Sequence, residues 1–439
     1  MVSTPPPVTS AVIGARPVDA SERLILLDIL RAVALCGVFV SNAYMHLSGR
    51  GLLPKESAEA LLSTRVDVVT DFLFTRLVAE KAMSMFSFLF GLGFSIQMGR
   101  AEARGASVVS VYSRRLGVLL LIGLTHLFAL WYGDVLNLYA MTGFVLLLFR
   151  KLPDKRLLVW SLVLIIGAPL VVTAVMTYVP LLASSPEAVQ EASKANMANV
   201  AAIRSETLAA FQSGSYLTTA RANAIFYWKI FLKPMTFAHG LISLGRFLLG
   251  LLAGRRRIFH DVEANRPLFR RLIGWGLVLA VLGNGVGLLV DHLLKAGVFS
   301  RPALWWRLLF QSVWEVGVLG LTAFYVAGLS LLFLRPRARR FLAVLAPAGQ
   351  MALTNYLSQT VISQFIYYGY GFNLIGKLRP LPCLALMFGL FWVQVLVSHL
   401  WLARFRFGPV EWVWRSLTYG KSQPMRRAPA REQDVAPAA

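Results

Sequence analysis

The chain has 439 residues, of which 57% are hydrophobic and only 15% charged, with mean hydropathy +0.62. An ordinary soluble domain is roughly 45–50% apolar and about 25% charged, so this composition excludes a soluble enzyme, a disordered chain and a secreted disulfide scaffold. The 44 basic and 21 acidic residues leave a net charge of +23. The basic residues sit in short clusters between apolar runs, with no nucleic-acid-binding motif beside them. They point to orientation in a lipid bilayer rather than to a nucleic-acid partner. The expected fold is an all-α integral membrane protein, a polytopic helical bundle. Cys36 and Cys383 both fall in apolar stretches and read as small buried side chains.

Residues 1–22 are rich in Pro, Ser and Thr and read as a disordered cytoplasmic tail without a signal-peptide core. The transmembrane domain is expected over 23–424, followed by a second disordered tail at 425–439. Within the domain, ten apolar runs are long enough to be read as membrane helices. They cover 25–47, 71–98, 116–132, 135–149 and 157–183, then 236–254, 272–294, 308–334, 342–368 and 381–402. The third and fourth are joined only by Gly133 and Asp134, which predicts a tight helical hairpin. Between the fifth and sixth lies a long loop, 184–235, where Ser185-Pro186-Glu187 is a helix start. One or two helices are expected there, lying over the outer face. Of the 44 basic residues, 28 fall in one alternating set of segments and 15 in the other. That split predicts ten spans in the bacterial inner membrane with both termini cytoplasmic.

Ionisable and amide side chains within apolar spans are candidates for function. His126, near the end of the third run, precedes Asp134 by eight residues, and the hairpin can fold the carboxylate back toward the imidazole. A histidine with a carboxylate partner is the usual equipment of a general base. Asn42 lies at the same level. Asp28 and Arg31 are three apart on one helix, so they can pair with each other or meet a ligand. Arg246 and Glu315 can form an interhelical ion pair, and Asn355 and Gln359, at i and i+4, can bind two helices together. No zinc motif, phosphate loop, dinucleotide fingerprint or nucleophile elbow is present.

Several phrases combine into a family resemblance. They are Leu27-Asp28-Ile29-Leu30-Arg31 running into Ser41-Asn42, Phe86-Ser87-Phe88-Leu89-Phe90-Gly91-Leu92-Gly93 after Lys81, and Arg114-Arg115 ahead of His126. Trp131-Tyr132-Gly133-Asp134, Gly349-Gln350-Met351-Ala352-Leu353-Thr354-Asn355-Tyr356 with Gln359, and Gly408-Pro409-Val410-Glu411-Trp412 with Arg415 complete the set. In this order the chain resembles the YeiB-like bacterial membrane proteins, which are similar to the wider transmembrane acyltransferase superfamily. That superfamily includes the lysosomal heparan glucosaminide acetyltransferase and the bacterial sugar O-acyltransferases. The histidine that follows the shared Asp by fourteen positions in the O-acyltransferases is Asn42 here, as in the glucosaminide enzyme. The resemblance implies acyl transfer from cytoplasmic acyl-CoA, as co-substrate, to a glycan, amine or small-metabolite acceptor at the outer face. His126 then acts as base, Asp134 orients it, and Asn42 donates to the oxyanion. Asp28, Arg31, Lys81, Arg246, Glu315, Asn355 and Gln359 are the candidate donor- or substrate-binding residues, and no metal or permanently bound cofactor is expected. The competing readings are a transporter of an amphipathic metabolite, using the same polar interior as its pathway, and a scaffold without turnover. Homo-oligomerisation is left open.

Overall fold

The computed structural model describes residues 24–103, 105, 107–298 and 304–427. The predicted tail 1–22 and most of the predicted tail 425–439 lie outside the described residues. Residues 425–427 pair with the chain instead: the Arg406 N–H donates to the Met425 carbonyl at 2.9 Å and the Arg427 N–H to the Arg404 carbonyl at 3.1 Å. This single bridge is the closest approach to a strand among the described residues.

The first predicted run is helix α1 (Ile25–Asn42), which continues into a π-helical turn, Ala43–Leu47. A short α2 (Lys55–Ala60) leads to α3 (Arg65–Leu77), which starts at a reciprocal cap between Thr64 and Asp67. The second run was expected to be unbroken over 71–98. It breaks where Glu80 adopts a left-handed φ of 65°, and α4 (Lys81–Ala103) begins there. Helix α5 (Val108–Ala129) ends three residues earlier than predicted, so Trp131 and Tyr132 belong to a six-residue turn rather than to the helix. Helix α6 (Leu136–Leu146) and one 3₁₀ turn end at Phe149. At 1.5 Å per residue that element is only about 21 Å long, short of the roughly 30 Å hydrocarbon layer.

Helix α7 (Asp154–Leu162) passes through a π turn into α8 (Ala168–Ala183). The long loop is helical as expected: α9 (Pro186–Gln212) is capped by the Ser185 hydroxyl, and α10 (Tyr216–Phe226) follows. Next come α11 (Pro234–Arg255), α12 (Arg266–Lys295) and α13 (Leu304–Phe333). The ninth run, expected to be continuous over 342–368, is divided. Helices α14 (Pro336–Ala343), α15 (Ala346–Gln350) and α16 (Ala352–Tyr367) replace it. Pro336 and Pro347 each open a new helix, because proline fits the first turn and not the interior. Helix α17 (Pro380–Arg404) and the short α18 (Pro409–Tyr419) complete the chain.

Eight of the ten predicted spans are helices long and apolar enough to cross a membrane; the fourth and ninth are shorter. Their outward faces are apolar. Leu121, Leu148, Val171, Trp275 and Leu396 are all exposed, the arrangement a lipid solvent requires. The chain is therefore a polytopic helical membrane protein. Close helix contacts organise its centre. A side chain at Gly91 would collide with the Phe247 carbonyl, and one at Gly250 with the Phe88 carbonyl, so α4 and α11 touch backbone to backbone. Gly349 of α15 likewise lies against the Asp28 carbonyl of α1.

Candidate active site

His126 occupies the last turn of α5 and is buried with Asp134, which the 130–135 turn carries back to it. Gly123, one turn before His126, makes this possible: a side chain there would meet the Asn137 N–H and the Asp134 carboxylate. His126 Nδ1 lies 2.9 Å from Asp134 Oδ1, and His126 Nε2 lies 2.9 Å from Thr360 Oγ1 of α16. The other carboxylate oxygen, Oδ2, accepts from the Asn137 backbone N–H at 2.8 Å and from its amide at 2.9 Å. A carboxylate only accepts, so Nδ1 is the protonated nitrogen. In the neutral imidazole Nε2 then carries the lone pair and accepts from the Thr360 hydroxyl.

The turn itself is pinned from two sides. The Gln364 amide of α16 donates to the Leu130 carbonyl at 2.6 Å. Asn223 of α10 accepts from the Tyr132 N–H and donates to the Leu127 carbonyl. The Tyr216 hydroxyl donates to the Ala129 carbonyl at 2.7 Å, and Tyr132 packs on Phe226 with ring centroids 4.5 Å apart. The helices of the long loop thus cover and brace this end of the bundle.

Toward the opposite end lies a cavity of about 250 Å³ between α1, α4, α5 and α16. Arg31, Arg100, Arg115 and Arg415 line the part of it farthest from the dyad, and its walls include Leu35, Phe90 and Tyr139. Its deep end is lined by Val135 and Tyr356. Along α4 the lining runs from Arg100 to Phe86, a rise of about 21 Å at 1.5 Å per residue. Tyr356 separates the cavity from the dyad. Its ring centroid is 5.3 Å from that of His126, and its hydroxyl accepts from the Val135 N–H at 3.3 Å and donates to Asp134 Oδ1 at 3.5 Å. Burial, and then the nearby Arg257 and Arg100, push the His260 imidazole below its ordinary value.

The remaining candidates divide between the cavity and the scaffold. Asp28 and Arg31 form a 2.7 Å ion pair, and both line the cavity. Asn42 is half-buried at the end of α1, with no hydrogen bond to the dyad among the described residues. Arg246 pairs with Glu315 at 2.8 Å between α11 and α13. Buried Lys81 lies 4.4 Å from the centre of the Trp314 ring and donates to the Thr75 carbonyl at 3.3 Å. Asn355 donates to Ser398, and Gln359 to Gln394, so both join α16 to α17.

Two contributors escaped the reading of single residues. Thr360 is a threonine in an apolar helix, and nothing local marks it. Glu411 appeared only within a family phrase, yet its carboxylate accepts from the Leu353 N–H at 2.7 Å, the Thr354 N–H at 3.1 Å and the Thr354 hydroxyl at 2.5 Å. It caps the first turn of α16 from a different helix, its oxygens accepting at the N–H end of that helix.

The family described as "Protein of unknown function (DUF418)" matches residues 253–421. The chain is 33% identical over 426 residues to the "Uncharacterized protein YxaH" of Bacillus subtilis (strain 168), covering 94% of this chain and 98% of that one. It is 29% identical over 411 residues to an "Uncharacterized 39.9 kDa protein in amylase 3'region" of Bacillus acidopullulyticus, covering 93% and 97%. Its identity to the "Uncharacterized protein YeiB" of Escherichia coli (strain K12) is 27% over 435 residues, covering 92% and 98%. No solved structure matches the chain. Near-full-length similarity to YxaH and YeiB, with the family match over its second half, makes the chain a member of the DUF418, YeiB-like family of membrane proteins.

Proposed function

We propose that the protein is a membrane-embedded acyltransferase of the bacterial inner membrane. It takes an acyl group from cytoplasmic acyl-CoA and passes it to a hydroxyl or amine at the outer face. One observation carries this reading: a cavity lined by four arginines at one end reaches Tyr356 at the other, directly beside the His126–Asp134 pair. The arginines suit the phosphates of the donor's nucleotide, and the narrow, largely apolar walls suit a pantetheine arm with its acyl group. At the deep end His126 Nε2 takes the proton of the attacking group, while Asp134 holds the tautomer and supports the imidazolium. The covered end, roofed by α9 and α10, is where the acceptor binds. The excess of basic residues in the segments at the arginine-lined end of the cavity supports a cytoplasmic position for it.

The test is turnover of purified protein with labelled acyl-CoA and a panel of sugar, amine and small-metabolite acceptors. His126→Ala lowers turnover by roughly 10²–10⁴-fold, the range for loss of a general base. Binding of coenzyme A changes little, because its contacts lie at the other end of the cavity. A fully active His126→Ala protein refutes this chemistry. Wild-type protein that moves a metabolite across vesicles without acyl transfer refutes the enzyme class.

A further inference from the structure

We propose that Thr360 is the acyl-carrying nucleophile, so that transfer proceeds in two half-reactions through an acyl-threonine. This rests on the acyltransferase reading above and adds to it. Asp134, His126 and Thr360 form a continuous chain of carboxylate, imidazole and hydroxyl, with both links 2.9 Å long and all three side chains buried. That is the arrangement by which an imidazole activates a hydroxyl, recognised by geometry rather than by sequence order. The orientation of Thr360 supports it. Elsewhere in the bundle, on α5, α8 and α13, hydroxyls bond back to the carbonyl four residues earlier: Thr125 to Leu121, Thr177 to Thr173, Thr322 to Val318 and Ser330 to Val326. Thr360 instead turns its hydroxyl to His126.

Position on the helix connects Thr360 to the donor. It lies four residues after Tyr356, on the same face and one turn deeper than the end of the cavity. Tyr356 is held by two hydrogen bonds longer than the usual range, 3.3 and 3.5 Å. Rotation of its ring opens the path from the cavity to Thr360.

In the first half-reaction Thr360 Oγ1 attacks the thioester carbonyl carbon, and its proton passes to His126 Nε2. The C–S bond then breaks, and the coenzyme A thiolate takes that proton and leaves as the thiol. In the second, the acceptor hydroxyl or amine attacks the acyl-threonine carbonyl and gives its proton to Nε2. The C–O bond to Thr360 breaks, and the threonine oxygen recovers the proton. No electrons change hands, and the side chains return to their starting state. The covalent stage separates the two substrates in time, which suits donor and acceptor arriving from opposite ends of one bundle.

The experiment mixes the purified full-length protein with radiolabelled acetyl-CoA without acceptor, then quenches in acid. The expected result is release of one coenzyme A per chain and label on the peptide containing Thr360. Thr360→Ser retains the label, whereas Thr360→Val, of nearly the same shape, loses it and lowers turnover by roughly 10²-fold or more. Gel filtration and coenzyme A binding establish that the Val variant is folded. Acyl transfer that needs acceptor before any coenzyme A is released, or a Thr360→Val protein that is inactive while the wild type forms no acyl-enzyme, overturns the nucleophile and leaves the acyltransferase standing. Absence of coenzyme A release with every acceptor as well as without one overturns the acyltransferase reading, and the nucleophile with it.

Discussion

Glu411 provides a direct test of how α16, which carries Tyr356 and Thr360, is held in place. Replacing it with alanine removes the carboxylate that accepts from the Leu353 and Thr354 N–H groups and from the Thr354 hydroxyl. Each buried donor left without a partner costs about 1–3 kcal/mol. With two backbone N–H groups stranded, Glu411→Ala destabilises the fold by about 2–6 kcal/mol. Glu411→Gln keeps one acceptor oxygen and loses the charge, so it costs less. Denaturation of the detergent-solubilised protein, followed by tryptophan fluorescence, measures both. The Gln variant also carries a pH signature. Burial pushes the Glu411 carboxyl above its ordinary value, against the hydrogen bonds from Thr354 and Leu353. An acid raised in the folded state contributes stability in its protonated form, fully present below the ordinary value and lost as pH rises through the raised one. Wild type therefore loses stability over that interval by a component that Glu411→Gln lacks. A Glu411→Ala protein within about 0.5 kcal/mol of wild type, the scale of an ordinary surface substitution, would refute the capping argument.

The Arg246–Glu315 pair, 7% and 8% exposed, predicts a non-additive cycle. Glu315→Gln strands a buried guanidinium and costs about 3–5 kcal/mol, whereas Arg246→Met with Glu315→Leu regains most of it; a double variant as unstable as the single contradicts a structural ion pair. For orientation, Gln190→Cys is labelled by a membrane-impermeant maleimide added to spheroplasts and Arg337→Cys is not. The reverse pattern rejects a cytoplasmic position for the arginine-lined end of the cavity.

What the chain discloses without its fold depends on sequence distance. The His126–Asp134 pair was legible because eight residues and a glycine-containing turn link its members, and the helices after Ser185 were legible from their local cap. Thr360 was not, because it meets His126 across 234 positions and only the packing of α16 against α5 unites them. Apolar content alone also hides breaks. The second and ninth runs read as continuous, but a left-handed Glu80 interrupts one, and breaks before the Pro347 helix and at Met351 divide the other. Asn355 and Gln359 showed a shared face but not its partner, which proved to be Ser398 and Gln394 on α17. The cavity is the least legible feature, since its walls come from helices spread from Leu24 to Tyr419.

A structure of the full-length protein in lipid nanodiscs with coenzyme A tests the central claim most directly. The account predicts the nucleotide phosphates against Arg31, Arg100, Arg115 and Arg415, with the pantetheine arm running along Leu35 and Phe90 and the thiol at Tyr356. Coenzyme A bound at the end covered by α9 and α10, or no binding at saturating concentration while the cavity stays empty, would contradict it.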